Sequence, residues 1–237
     1  MIECRHLSKR YGRRLAVDDL SFDVRPGQVT GFLGPNGAGK STTLRLILDL
    51  HHGGGRTRID GRRFRELPDP IRAVGAVLEA RAFHPGRTAR NHLRMLAAGG
   101  GIGERRVGEV LELVGLGDAA DRRPGGFSLG MGQRLALAAA LLGDPGTIIL
   151  DEPGNGLDPQ GLHWLRTLLR GFADEGRTVL VCSHQLREME QLADELLVFG
   201  RGRIIEQGPV GELVTRSGQA SLELAYLQIT RDVEEYA

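Results

Sequence analysis

Residues Gly34-Pro35-Asn36-Gly37-Ala38-Gly39-Lys40-Ser41 follow an apolar stretch, Val29 to Leu33, and open a helix-like one, Thr42 to Leu50. The spacing G-x-x-x-x-G-K-[ST] is a device for holding a nucleoside triphosphate. Its glycines let successive backbone N–H groups turn inward around phosphates, the helix that follows aims its positive dipole end at them, and Lys40 adds a compact mobile cation. Ser41 is then placed to hold a magnesium ion. Only Lys9 and Lys40 among the 31 lysine and arginine residues are lysine. A planar guanidinium would fit poorly in a tight nest of amides, which gives position 40 a physical reason to differ from the arginine-rich remainder.

A second candidate group lies far along the chain. Thr147-Ile148-Ile149-Leu150-Asp151-Glu152 reads as a buried strand ending in two carboxylates. Opposite a phosphate loop, Asp151 would reach Mg²⁺ through water and Glu152 would face the water that attacks the γ-phosphate. Taken alone, the run also reads, as the lesser alternative, as an exposed Asp-Glu turn after an ordinary strand; the loop upstream favours the paired reading. Asn155-Gly156-Leu157-Asp158 comes next, and Ser183-His184 one strand later. By itself His184 reads as a structural histidine, and its place directly after the strand following Glu152 reverses that.

The elements that must carry these residues are legible in outline. β-like segments open the chain at Ile2 to His6, Leu20 to Val24 and Val29 to Leu33, with a Pro26-Gly27 turn before the last. Arg58 to Arg62 is hairpin-like, and Ala73 to Leu78 is another strand. Residues 88–98 and 104–114 carry apolar positions at helical spacing, separated by Gly99-Gly100-Gly101, and a third helix is expected from about Gly130 to Leu142. From Thr147 strands alternate with helices to Phe199, which argues for a parallel sheet covered on both faces. The expected architecture is α/β: a core over residues 1–84 and 146–237, interrupted by a helical subdomain at about 85–145.

Composition narrows the partners. With 237 residues, 41% of them hydrophobic, the chain can bury a substantial core, and its formal net charge of +1 nominates neither nucleic acid nor an anionic membrane. Paired arginines such as Arg13-Arg14 and Arg122-Arg123 read as solvated surface. Cys4 and Cys182 sit in strand-like surroundings without metal-type spacing and are expected to be buried, reduced thiols of a cytosolic protein. The N-terminus has no apolar signal region. Its longest purely apolar run, Leu135 to Leu142, is too short to span a bilayer. Any membrane role is therefore expected to come through a partner.

Together these motifs resemble the nucleotide-binding subunit of an ATP-binding cassette (ABC) transporter, over essentially the whole chain. Phe127-Ser128-Leu129-Gly130-Met131-Gly132-Gln133-Arg134 stands where that family carries its Leu-Ser-Gly-Gly-Gln signature, and Tyr11 in Lys9-Arg10-Tyr11-Gly12 matches the family's aromatic. The resemblance implies a P-loop NTPase core, a mostly parallel sheet with an antiparallel N-terminal β part, and it implies roles. Tyr11 would stack on adenine; Gly34, Pro35, Asn36, Gly37, Ala38, Gly39, Lys40, Ser41 and Thr42 would hold the phosphates; Ser41, Asp151 and Glu79 would hold Mg²⁺. Glu152 would act as general base and His184 would hydrogen-bond the γ-phosphate. Ser128, Gly130 and Asp158 would face ATP bound to a second copy of the chain. The implied protein is an ATPase that closes as a head-to-tail homodimer and drives a separate transmembrane permease from the cytoplasmic face of the membrane, without nucleic acid.

Two departures from the family pattern stand out. Leu129 and Met131 replace a glycine and the glutamine of the signature, a variant that resembles exporters of the bacitracin, lantibiotic and drug-resistance type. Glu79 stands in place of a glutamine, so a group that only accepts and carries charge replaces one that also donates. The segment Ala80 to Pro85, with Phe83 as anchor or as core residue, is a place for a permease helix to dock. The tail, Leu222 to Thr230, resembles the short closing helix of export-type cassettes. Rival readings are a soluble ABC ATPase acting on ribosomes or DNA, an importer-type cassette, and a plain P-loop kinase, which leaves Ser128, Asp158 and His184 unexplained.

Overall fold

The structure, a computed structural model, describes residues 1–79 and 83–235, with side chains described as far as Arg231. From the N-terminus run β1 (Ile2–Tyr11), β2 (Arg14–Val24), β3 (Gln28–Leu33), α1 (Lys40–Ile47), β4 (Gly54–Ile59), the short α2 (Pro70–Ala73) and β5 (Val74–Val77). Then come α3 (Ala89–Gly99), α4 (Glu104–Leu113), α5 (Leu129–Ala140), β6 (Thr147–Asp151) and α6 (Pro159–Asp174). The chain closes with β7 (Thr178–Ser183), α7 (Leu186–Leu192), β8 (Glu195–Gly200), β9 (Arg203–Pro209), α8 (Val210–Ser217) and α9 (Leu222–Glu235). It divides into two compact units, Met1–Glu66 with Leu168–Ala237, and Leu67–Thr167.

In the first unit β1 pairs antiparallel with both β2 and β4, giving the order β2-β1-β4. Leu20, Phe22 and Val24 are buried, while Ser21 between them is exposed and Asp23 half-buried, the period of two that lays one strand face on a core. Both β1 and β2 run well past the expected Ile2 to His6 and Leu20 to Val24. Register shifts on either side of Leu7, with positive φ at His6 (54°) and Asp19 (52°), break the alternation that would have revealed the full strands. The second sheet has β3 between β7 and β8, all parallel, with β9 returning antiparallel on β8. Every residue of β7, and all of β3 after Gln28, is buried, as strands covered on both faces require. Phe22 from the antiparallel sheet meets Phe32 of β3 edge-to-face at 5.2 Å, and Phe32 meets Phe199 of β8 at 4.7 Å, so aromatic contacts join the two sheets. Neither β9 nor α8 was expected from the sequence, because β9 is an edge strand whose residues are mostly half-buried or exposed and show no alternation.

The second unit pairs β5 and β6 in parallel, Val74 opposite Thr147 through Val77 opposite Leu150. Helices α3, α4 and α5 pack on one another. Val107, Val110 and Leu111 supply the buried stripe of α4, at the i, i+3, i+4 spacing of an amphipathic helix. Thr88 caps α3 by accepting the Asn91 amide at 3.2 Å, which starts that helix at Ala89. Where α5 ends, the sheet comes very close: a Cβ on Gly75 of β5 would stand 2.2 Å from the Ala140 carbonyl oxygen and 2.8 Å from Pro145. Among the described residues no helix is long and apolar enough to cross a membrane.

Two outcomes follow from this packing. Gly75→Ala must displace backbone, and it is expected to lower stability by about 1–3 kcal/mol in urea titration. Cys4 and Cys182 are buried and not joined in a disulfide, and burial first, then the Asp23 charge, pushes the Cys4 thiol well above the usual range. Native protein is therefore expected to resist alkylation at both cysteines near neutral pH, and unfolded protein to take two labels, counted by mass spectrometry.

Candidate functional site

The phosphate loop leaves the carboxyl end of β3, and its glycines are demanded by neighbours as well as by dihedral angles. A Cβ on Gly34 would stand 2.7 Å from the Phe199 carbonyl oxygen, and one on Gly39 only 2.4 Å from that of Ala16. Gly37 and Gly39 have φ of 82° and 109°, where a side chain is strained. Gly39 is the N-cap of α1 and lends no side chain to its amides, so the helix begins at Lys40, two residues before the expected Thr42. Gly34 and Ala38 are buried, Pro35 and Asn36 exposed, and Ser41 and Thr42 half-buried on the first turn.

Lys40 is 6% exposed, and its ammonium bonds back over the loop to the carbonyls of Gly34 and, at 3.2 Å, Pro35. A buried cation needs such partners. Two further donors hold the loop from outside: Arg14 Nη2 reaches the Gly37 carbonyl at 2.7 Å, and the Gly202 amide, in the β8–β9 turn, reaches that of Ala38 at 3.0 Å. Neither contact was legible beforehand. Arg14 belongs to an arginine pair read as surface, and only its distance of three residues from Tyr11 hinted otherwise.

Tyr11 ends β1 and is 44% exposed. Its hydroxyl meets His51 Nδ1 at 2.6 Å, the two rings stand edge-on at 5.8 Å, and Lys9 Nζ lies 5.0 Å over the tyrosine ring. Loss of hydration first, then the Lys9 and Arg45 charges, holds His51 below the usual imidazole range. The hydroxyl and Nδ1 share one hydrogen bond whose direction follows the His51 tautomer, and either way it fixes the ring at its outer end.

His184 follows β7 and is exposed. Leu33 pairs with Ser183, so the phosphate loop and His184 leave the same end of adjacent parallel strands. The turn at His184 is fixed on both flanks: Ser183 Oγ donates to Glu188 Oε2 at 3.2 Å and accepts the Gln185 amide at 3.0 Å. Glu188, on α7 and only 7% exposed, was not singled out in the sequence, where it looks like any helix-surface carboxylate.

The same relation recurs in the second unit. Val77 pairs with Leu150, and beyond them Glu79, Asp151 and Glu152 leave the same end of β5 and β6. Asp151 is half-buried at the last position of its strand, while Glu79 is exposed. Glu152 has φ of 51°, a left-handed conformation that costs a residue with a side chain about 1–3 kcal/mol. Asp158 accepts the Gly161 amide at 2.7 Å and so caps α6 ahead of Pro159. Ser128 caps α5 in the same way, accepting the Met131 amide at 3.2 Å, and this cap starts the helix at Leu129 rather than Gly130. A Cβ on Gly130 would stand 2.7 Å from the Gly156 carbonyl oxygen, and one on Gly156 would stand 2.4 Å from Leu129 Cγ. The signature turn and the turn before Asp158 are thus packed backbone to backbone. Phe83 is half-buried, its ring edge-on to His92 at 6.5 Å; Ala80, Arg81 and Ala82 lie outside the described residues.

Comparison with known proteins agrees with this geometry. The family model described as ABC transporter matches residues 17–155. The chain is 40% identical over 221 residues, 92% of its length, to the bacitracin transport ATP-binding protein BcrA of Bacillus licheniformis, covering 72% of that protein. It is 38% identical to the daunorubicin/doxorubicin resistance ATP-binding protein DrrA of Streptomyces peucetius, covering 94% of this chain and 69% of the relative. It is 35% identical to the lantibiotic transport ATP-binding protein SrtF of Streptococcus pyogenes, covering 86% and 89%. Among solved structures, an ATP-binding subunit of an ABC transporter superposes with a TM-score of 0.87 at 29% identity, covering 97% of this chain and 99% of that one. A dimeric bacterial ABC transporter cassette superposes with 0.81 at 25% identity, covering 88% and 98%. An α/β cassette with an antiparallel N-terminal sheet, a phosphate loop at a strand's carboxyl end and these relatives leaves one assignment: the chain belongs to the ABC transporter family, as an ATP-binding subunit.

Proposed function

We propose that this subunit is the motor of an exporter: two copies close head to tail on ATP, hydrolyse it, and move a separate transmembrane permease from the cytoplasmic face of the membrane. The observation that carries the reading is the placement of the chemical groups. In each unit they leave the carboxyl ends of paired parallel strands, the phosphate loop with His184 and Glu79 with Asp151 and Glu152, the end of an open α/β sheet at which ligands bind.

The chain's own groups divide the work. Tyr11 stacks on adenine with the ring face away from Lys9. The loop from Gly34 to Thr42 binds the phosphates through amides at the start of α1, and Lys40 has two carbonyl contacts to exchange for phosphate oxygens. Glu152 takes the proton of the attacking water, and His184, its turn braced by Ser183 and Glu188, holds the γ-phosphate end in register. The donor set suits Mg²⁺, since the Ser41 hydroxyl and the Glu79 and Asp151 carboxylates are hard oxygens. Mg²⁺ sites of this kind take few protein ligands, with phosphate oxygens and waters completing the shell. Bound there, the ion neutralises phosphate charge.

Ser128, Gly130 and Asp158 are assigned to the nucleotide of the second copy, a reading supported by the dimeric cassette. With its oxygen accepting the Met131 amide, Ser128 still has its hydroxyl proton to donate to a γ-phosphate. Hydrolysis removes that acceptor and the dimer reopens. Export follows the relatives named for bacitracin, lantibiotic and daunorubicin. Phe83 is the proposed anchor for a cytoplasmic helix of the permease.

Glu152→Gln should bind ATP yet hydrolyse it about 10² to 10⁴ times more slowly. It should accumulate an ATP-dependent dimer on size-exclusion chromatography; full turnover, or a monomer at saturating ATP, would overturn the mechanism. For Glu79→Gln, replacing a charged ligand by a neutral one should raise the magnesium concentration needed for half-maximal ATPase activity. Unchanged magnesium dependence and unchanged transport would remove Glu79 from the site.

A further inference from the structure

A loop that presents its amides to phosphates must dispose of its carbonyls. Four of them are accounted for here. Lys40 takes those of Gly34 and Pro35, the Gly202 amide takes that of Ala38, and Arg14 takes that of Gly37. The Lys40 contacts are provisional, because the same ammonium is wanted by the nucleotide. The Gly202 contact is built from backbone: Arg201 and Gly202 form the β8–β9 turn with φ of 49° and 83°, and the Gly202 carbonyl accepts the Asp18 amide at 2.8 Å. Arg14 is therefore the one side chain in this set that can hold the loop both before and after nucleotide binds.

Its point of attachment matters. The peptide between Gly37 and Ala38 is tied at both ends, its oxygen to Arg14 Nη2 at 2.7 Å and its N–H to the Pro35 carbonyl at 3.2 Å. That peptide closes the turn from Pro35 to Ala38, with Gly37 at φ of 82°. A Cβ on Gly37 would stand 3.1 Å from the same arginine nitrogen, so the guanidinium fits against a residue with no side chain. A glycine-rich tip has many conformations available, and fixing it beforehand lowers the ordering cost of binding.

We propose that Arg14 is a positioning residue for nucleotide binding, acting through the Gly37 carbonyl to keep the tip of the phosphate loop in its phosphate-ready shape. It helps to bind the nucleotide without taking part in hydrolysis. The proposal rests on residues 34 to 42 being the phosphate site.

The test compares Arg14→Ala, Arg14→Lys and Arg13→Ala in ATPase assays and in titrations with a fluorescent ATP analogue and with ADP. Arg14→Ala should raise KM for ATP and Kd for ADP together, by about tenfold, the scale of one charge-assisted hydrogen bond. Its kcat should stay within about twofold, and its melting temperature without nucleotide should not move, since Arg14 is an exposed residue. Arg14→Lys should recover most of the affinity, and the loss in Arg14→Ala should persist at 0.5 M salt. If Arg13→Ala weakens binding equally, or the Arg14→Ala loss vanishes in salt, general attraction by surface charge explains it and the positioning role is overturned. Unchanged KM and Kd in Arg14→Ala would overturn it as well. Failure of the unsubstituted protein to bind either nucleotide would instead sink the phosphate-site reading.

Discussion

A peptide unit cannot turn its N–H toward a phosphate without turning its carbonyl elsewhere, and a carbonyl held away from water needs a donor. In this chain that requirement reaches far beyond the octapeptide. Arg14 and Ala16 from β2, Phe199 at the end of β8 and Gly202 in the β8–β9 turn all press on or bond to the loop's backbone. Edge strand β9, without any chemical group of its own in the site, is needed because its hairpin delivers Gly202. Gly34 and Gly39 are as much concessions to these neighbours as they are to the nucleotide.

The phosphate loop, the Asp151-Glu152 pair and the strands under them were legible because each depends on residues adjacent in sequence. An apolar run of the length of β3, β6 or β7 is a strong local signal, and a glycine pattern with one lysine is stronger still. The antiparallel β1 and β2 were only half seen, since bulges with positive φ at His6 and Asp19 reset the alternation on which the reading relied. Arg14, Gly202, His51 and Glu188 were missed for another reason. Each acts on a residue from a different element, at sequence separations from five to 164, and nothing local distinguishes them from surface arginine, turn glycine or solvated carboxylate. Ser128 and Asp158 were singled out through the family resemblance, and the structure adds that both are helix caps, a duty that fixes where their side chains sit.

The two carboxylate-bearing positions differ in how the fold holds them. Asp151 completes a strand and inherits its order, whereas Glu152 is the first residue off the sheet and takes a left-handed conformation. The left-handed conformation turns the chain off the line of the strand directly after Asp151. His184 is treated more gently: its strand ends at a buried serine, and a buried glutamate anchors that serine from α7.

Leu129 stands where a glycine would have left a gap, and its side chain fills the space over Gly156, 44% of it still open to solvent. With Gly130 pressed on the Gly156 carbonyl, the two turns have no play between them. Gly156 has φ of 79° and lies under Leu129, so a side chain at 156 is barred by backbone strain and by contact alike. A smaller side chain at 129 would therefore open space over Gly156 without relieving the backbone strain that a side chain at 156 would carry.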